Sequence, residues 1–255
     1  MNIVALQPDI VWENKPANFE DARRLLTRAA PEREALVVLP EMFATGFSMN
    51  AASIAEASGG ETERFLAGMA KEFGVWLIAG AAIRGKDGRA RNKSLVFSPT
   101  DGLVAFYAKM RPFTPGGESE HYTAGKSPAV FRWQDCTVSP FVCYDLRFPE
   151  LFRQAAAAHR PELFVVIASW PERRILHWVR LLQARAIENQ AYVVGVNRVG
   201  KDPHYNYPGR SLIADFNGDI VADAGETEGF CRARLDLPAL RKYREGLPFL
   251  TDLKA

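Results

Sequence analysis

The amino-acid sequence predicts an α/β protein, layered as an α-β-β-α sandwich of two sheets with helices outside. Three observations predict it. The first third of the chain alternates apolar strands with amphipathic helices in a β-α-β-α-β rhythm, which favours a sheet covered by helices. The middle carries strand candidates with no helix between them. Late in the chain, Asn217-Gly218 separates two apolar runs, the strongest short hairpin signal. Parallel βα units plus antiparallel hairpins therefore need two sheets. The chain has 255 residues, 47% hydrophobic and 24% charged, enough for a real core. One domain over 1–255 is the simplest organisation at this length. No linker, repeat or low-complexity stretch interrupts it.

Taken in order, Ile3 to Gln7 reads as a short buried strand. Lys15 to Ala30 is helical, with Phe19, Ala22, Leu25, Leu26 and Ala29 on one face. Ala35 to Leu39 is a second strand, ended by Pro40. Thr62 to Phe73 is a helix and Val75 to Ala82 a strand. Lys93 to Phe97, Val104 to Lys109, Ala129 to Trp133 and Thr137 to Cys143 are strand candidates. Pro140 within the last of these marks an edge or an irregularity. A helix follows from Pro149 to Ala158, a strand from Leu163 to Ala168, and a long helix from Arg173 to Asn189. Tyr192 to Asn197, Leu212 to Asp215, Asp219 to Ala224 and Phe230 to Leu235 complete the strands. The segment from Lys201 to Pro208 reads as a loop.

Composition narrows the function. The net charge is +2, from 32 basic and 30 acidic residues spread along the chain. Nucleic acid needs a concentrated basic stripe, so it is not an expected partner. No apolar run approaches the roughly 20 residues a bilayer requires, and the N-terminus lacks a signal-peptide plan. Cys136, Cys143 and Cys231 form no disulfide framework and no CxxC pair. A reduced, cytoplasmic location is expected. The four histidines lie far apart without ligand spacing, and neither G-x-G-x-x-G nor a P-loop is present. Neither metal nor cofactor is expected. Asn92-Lys93-Ser94 fits a glycosylation sequon, which carries no meaning in the cytoplasm.

Three segments each place one reactive side chain where a strand should end: Leu39-Pro40-Glu41-Met42-Phe43, Tyr107-Ala108-Lys109 and Val142-Cys143-Tyr144-Asp145. Strand ends are where α/β proteins assemble sites, because the sheet aims the side chain and the loops shape the pocket. A thiol attacks only as its thiolate, and at a free pKa of about 8.5 little is ionised at neutral pH. Glu41 could take the proton. Lys109 could hold the charge that develops on an attacked carbonyl oxygen, a contribution of about 3–4 kcal/mol. One glutamate, one lysine and one cysteine thus suffice for acyl transfer through a thioester.

These segments resemble the nitrilase, or carbon-nitrogen hydrolase, superfamily, whose signature is a Glu-Lys-Cys triad in that order. The resemblance extends from Ile3 to about Asp252. Val142-Cys143-Tyr144-Asp145-Leu146-Arg147-Phe148-Pro149-Glu150-Leu151 looks like its nucleophile segment. Gln183-Ala184-Arg185-Ala186-Ile187-Glu188-Asn189-Gln190 matches its long helix after the cysteine. The resemblance implies the same four-layer sandwich, with Glu41 as base, Cys143 as nucleophile and Lys109 as oxyanion donor beside the backbone N–H of Tyr144. It also implies an assisting second glutamate, for which Glu118 and Glu120 are candidates and spacing back from Gly125 favours Glu118. Many relatives carry a histidine two residues after the lysine. Arg111 stands there, which bears on substrate detail rather than on the reaction.

Pro40-Glu41-Met42-Phe43-Ala44-Thr45-Gly46-Phe47 and the Trp-Pro-x-x-Arg pattern at Trp170 to Arg174 resemble the omega-amidase branch. That branch hydrolyses the terminal amide of 2-oxoglutaramate and 2-oxosuccinamate, releasing ammonia. Such substrates carry a carboxylate far from the amide, which a guanidinium binds bidentately. Arg174 is the first choice for that role and Arg173 the second. Phe43, Trp170 and Tyr144 are candidates to line the pocket. The alternatives are a deaminated-glutathione or N-carbamoyl amidase using the same triad, and a non-catalytic dimer on the same fold. The resemblance further implies a homodimer, with Arg173 to Asn189 and Tyr243 to Leu253 as contact surfaces.

Overall fold

Alternation within a single strand shows how the layers arise. In Asn2–Gln7, Ile3 and Ala5 join one buried cluster while Val4 and Leu6 join another. Successive side chains of a strand point to opposite faces, so a sheet with both faces covered is apolar throughout. The cluster around Val4 lies between the first sheet and two helices, Lys15–Ala29 and Glu61–Phe73. These contribute Ala22, Leu25, Leu26, Ala29, Leu66 and Met69. The cluster around Ile3 is shared with the second sheet through Val138, Val166 and Val194.

The computed structural model describes residues 1–253; the last two positions of the domain predicted over 1–255 lie outside them. The first sheet runs in the order Gly229–Arg234, Asn2–Gln7, Leu36–Val38, Trp76–Arg84, Ala90–Ser98, Gly102–Ala108, with Glu56–Ala57 added beside Trp76–Arg84. Its centre is parallel, as βα crossovers require, and its flanks are antiparallel. The second sheet runs Ile220–Asp223, Leu212–Ala214, Tyr192–Val196, Leu163–Ile167, Cys136–Val142, Phe131–Trp133. The helices Pro149–His159 and Ile175–Asn189 pack together on its outer face, burying Phe152, Trp178 and Leu182. The layering is α-β-β-α.

Pro140 sits in an inner strand without breaking a ladder. Phe131–Trp133 pairs only as far as Val138, so beyond it that side of Cys136–Val142 is a local edge. The other side pairs on through Pro140 to Val142. Beyond the short elements Ala51–Ile54, Glu56–Ala57 and Glu118–His121, which were not expected, two larger differences stand out. The segment expected as a loop from Lys201 to Pro208 belongs to a hairpin, Val199–Lys201 with Asn206–Pro208. A helix, Leu237–Gly246, follows the last strand, where none was expected; Asp236 caps it by accepting the Ala239 N–H at 2.9 Å.

Candidate active site

The three strand ends meet. Leu36–Val38 and Gly102–Ala108 of the first sheet deliver Glu41 and Lys109, and Cys136–Val142 of the second delivers Cys143. Gly80 lets the Glu41 turn rest directly on its neighbouring strand, because a Cβ there would lie 2.5 Å from the Glu41 Cα. The Gly80 N–H donates to the Pro40 carbonyl at 3.0 Å. Cys143 opens the 3-10 turn Cys143–Arg147 at φ +47°, left-handed backbone for a side chain that is not glycine. Such a conformation costs of order 1–3 kcal/mol and persists only where its surroundings enforce it. Asp145 is the clamp. Its Oδ2 accepts from the Val142 N–H at 3.1 Å and the Tyr107 hydroxyl at 2.8 Å, and its Oδ1 from the Arg111 N–H at 2.8 Å. One carboxylate thereby ties the cysteine turn to the end of the lysine strand.

Lys109 is 2% exposed, and Glu41 and Glu118 are 0% exposed. The ammonium Nζ lies 2.9 Å from Glu41 Oε1 and 2.7 Å from Glu118 Oε2. Two of its three N–H groups are thus engaged, leaving one for a substrate oxygen. The Ser169 N–H donates to Glu41 Oε2 at 2.9 Å, and the Phe113 N–H to Glu118 Oε2 at 2.6 Å. Asn92 Nδ2 reaches both carboxylates, 2.7 Å to Glu41 and 2.9 Å to Glu118. Burial pushes the Lys109 ammonium down, but Glu118 and then Glu41 outweigh it and hold it above its ordinary value. Burial, then the Glu41 carboxylate, raises the Cys143 thiol, with Lys109 opposing. Cys143 therefore rests as a thiol, its Sγ 3.9 Å from the Ser169 carbonyl oxygen. Ionising that thiol without giving its proton to Glu41 would add a third negative charge around a single cation.

A narrow cleft opens above Cys143, lined by Tyr144, Trp170, Phe47, Phe113, Arg147 and Arg174 among others. The Arg174 guanidinium lies over the Phe113 ring at 5.6 Å and that of Arg147 over the Trp170 ring at 4.8 Å. Burial lowers Arg147, and the neighbouring Arg174 charge lowers it further. Arg173 faces a separate surface hollow with Asp202 and His204. Glu118 is the glutamate against Lys109, while Glu120 is exposed. Arg111 points away, its guanidinium over Phe148 at 5.4 Å.

One expectation is corrected. Phe43 does not line the pocket: it packs against the stacked pair of Phe19 and Phe65, 6.0 and 6.3 Å between ring centroids, in the layer under the outer helices. Phe47, four residues on, faces the site instead, 5.0 Å from Lys109 Nζ. The backbone is left-handed just before each ring, at Met42 (φ +45°) before Phe43 and at Gly46 (φ +73°) before Phe47. Sequence reasoning also missed Asn92, Ser169 and Arg147. Arg147 lies within the nucleophile segment, and its charge is the available signal; Ser169 follows directly on the strand expected from Leu163 to Ala168, a strand end like the other three, while Asn92 carries no such signal.

Residues 2–245 match the family model described as Carbon-nitrogen hydrolase. The chain is 38% identical to omega-amidase YafV of Escherichia coli (strain K12), covering 99% of this chain and 96% of that protein. It is 32% identical to the 2-oxoglutaramate amidase of Bacillus subtilis (strain 168), covering 99% and 97%. Among solved structures, XC1258 of Xanthomonas campestris, a CN-hydrolase superfamily protein with an arsenic adduct in its active site, superposes with a TM-score of 0.94. That similarity holds at 32% identity over 100% of this chain and 97% of the other.

Proposed function

The chain belongs to the carbon-nitrogen hydrolase family, and from that premise we propose that it hydrolyses the terminal amide of 2-oxo dicarboxylic acid monoamides, 2-oxoglutaramate and 2-oxosuccinamate, giving the 2-oxo acid and ammonia. One observation carries the reading: Cys143, the thiol of the thiol–carboxylate–ammonium centre, shares a cleft with the guanidiniums of Arg147 and Arg174, and among the described residues that lining holds no carboxylate. An amide reacts at the thiol and a carboxylate is bound by a guanidinium. The names of the relatives in Escherichia coli and Bacillus subtilis support the same substrate.

In this reading the Cys143 Sγ proton passes to Glu41 as sulfur attacks the amide carbon. The carbonyl electron pair moves to oxygen, which accepts from the free Lys109 N–H and from the Tyr144 backbone N–H. Glu41 returns the proton to the nitrogen, the C–N bond breaks, and ammonia leaves a thioester. Water then loses a proton to Glu41 and attacks the thioester; the C–S bond breaks and the proton goes back to sulfur. Glu118 holds Lys109 in place, and Arg174 binds the distal carboxylate with Trp170 and Tyr144 as walls.

Ammonia release from 2-oxoglutaramate by wild type and Cys143→Ser, with chelator present, tests the proposal. Robust wild-type turnover and a near-silent variant are expected. An inactive wild type whose Cys143 still reacts rapidly with iodoacetamide would keep the centre and remove the substrate.

The whole of 1–255 acts as a single hydrolase domain in this proposal, in the cytoplasm and as a homodimer. Leu176 and Ile187 are exposed on the Ile175–Asn189 helix, as are Leu247 and Phe249 near the C-terminal end. A second copy covering them would remove this apolar surface from water. Sedimentation of the wild type and of Leu176→Glu/Ile187→Glu tests it; a monomeric wild type would end the dimer reading.

A further inference from the structure

We infer that Asn92 is a positioning residue of the reaction centre, holding Glu41 and Glu118 in their ionised, separated arrangement through one N–H to each. The inference rests on Glu41, Lys109 and Cys143 being the reaction centre and not on the omega-amide substrate.

In the sequence Asn92 was only the first residue of an Asn-Lys-Ser sequon. The structure buries it at 2% exposure on the strand Ala90–Ser98, where its backbone carbonyl also accepts the Lys109 N–H at 2.9 Å. Its Nδ2 donates to Glu41 Oε1 at 2.7 Å and to Glu118 Oε1 at 2.9 Å, using both hydrogens an amide nitrogen carries. Among the described residues its Oδ1 has no hydrogen-bond partner. The orientation is still unambiguous: turned over, the carbonyl oxygen would face two carboxylates, acceptor against acceptor. A buried orphan acceptor is unfavourable, so the two donated bonds must outweigh it.

The charges around the pair show why those bonds matter. Glu41 and Glu118 carry two negative charges, and Lys109 answers one. The other titratable neighbours are Cys143 on the opposing sheet, Tyr122 beyond Glu118, Tyr207 on the hairpin, and Asp145 beyond Lys109. None of them supplies a positive charge. Apart from Lys109, every hydrogen bond the two carboxylates accept comes, among the described residues, from a neutral group: the Ser169 N–H on Glu41, the Phe113 N–H on Glu118, and Asn92 on both. Among the described residues Asn92 is the neutral group that bonds to both. Two carboxylates in one site tend to retain a proton between them. A proton retained there would stop Glu41 from accepting the one on Cys143, and the centre would stall from the acid side.

The test uses Asn92→Leu, similar in volume with no donor, and Asn92→Ser, smaller with one hydroxyl donor. Two pH profiles are recorded for the full-length protein: Cys143 alkylation by iodoacetamide, followed by intact mass, and turnover of 2-oxoglutaramate. In Asn92→Leu the acidic limb of both profiles should move up by about one pH unit, with a smaller move in Asn92→Ser. The kcat at pH 7 should fall roughly ten- to hundredfold. KM should stay within about twofold, because Asn92 does not line the cleft. An acidic limb unmoved in both variants, with only the melting temperature lowered, would overturn the inference and leave Asn92 a packing residue. If Asn92→Leu does not fold, Asn92→Ser is judged by the same criterion. A wild type inactive on 2-oxoglutaramate removes the substrate proposal, while the alkylation profiles still decide the role of Asn92.

Discussion

Replacing Lys109 by methionine removes the one cation of a buried three-charge cluster while nearly keeping its shape. Both partners are left with no exposure to water, 2.9 and 2.7 Å from where the ammonium stood. Removing one member of a buried ion pair typically costs about 3–5 kcal/mol, because the remaining charge is stranded. That is a large share of the roughly 5–15 kcal/mol that holds a domain folded. The pH dependence is as diagnostic as the size. The wild-type ammonium is held above its ordinary value, so its contribution is complete below about pH 10.4 and fades only as pH rises beyond that. Between pH 5 and 8 it is constant. In the variant, the stranded carboxylates bind a proton more readily folded than unfolded, so stability falls as pH rises. The deficit relative to wild type should therefore be small near pH 5 and reach the full 3–5 kcal/mol by pH 8. Urea unfolding followed by tryptophan fluorescence at both pH values measures it. A deficit below about 1 kcal/mol at pH 8, or one equal at both pH values, would refute the cluster energetics. Activity should fall at least about a hundredfold in the same variant through loss of the oxyanion donor.

Arg174→Gln should raise KM for 2-oxoglutaramate roughly ten- to hundredfold with kcat nearly unchanged, since a distal carboxylate contact is uniform binding. Arg173→Gln should change KM by less than about twofold, because Arg173 lies outside the cleft; equal effects in initial-rate kinetics would count against the Arg174 assignment. Burial, opposed by Lys109, pushes the Asp145 carboxyl up to about 7. Raised above its unfolded value of about 3.9, it favours the folded state at low pH, and that contribution is lost as pH rises through about 7. Asp145→Asn does not titrate, so its stability relative to wild type should improve from pH 4.5 to 8, whatever its fixed offset. Urea midpoints that keep a constant difference across that range would show that Asp145 is not buried uncharged.

Which parts of this architecture are legible in sequence follows from how far each signal reaches along the chain. The strands and covering helices are set by local periodicity, and apolar alternation in Asn2–Gln7 suffices to place both of its faces. Glu41, Lys109 and Cys143 are legible because each follows directly on an apolar strand. The helix Leu237–Gly246 is faint for the opposite reason: it buries only Leu237 and Leu240, although Asp236 and Pro238 supply its start signals. Phe43 and Phe47 are chemically identical and four residues apart. Only a turn with left-handed Met42 and Gly46 decides which one meets the helices and which the ammonium.

Asn92 is the sharper case. It is separated from Glu41 by 51 positions and from Glu118 by 26, and nothing local distinguishes it from any polar residue on a strand. Its role exists only because three neighbouring chain segments bring two carboxylates to one amide nitrogen. Arg147 differs again, because its neighbours in sequence marked it out while its partner Arg174 comes from the start of another helix. Residues that react advertise themselves through short words, since a nucleophile needs a particular turn. Residues that hold charges in place do not, since a hydrogen bond can arrive from any element that packs close enough. A search of this fold for further functional groups should therefore begin with polar atoms buried against Glu41, Lys109 and Glu118.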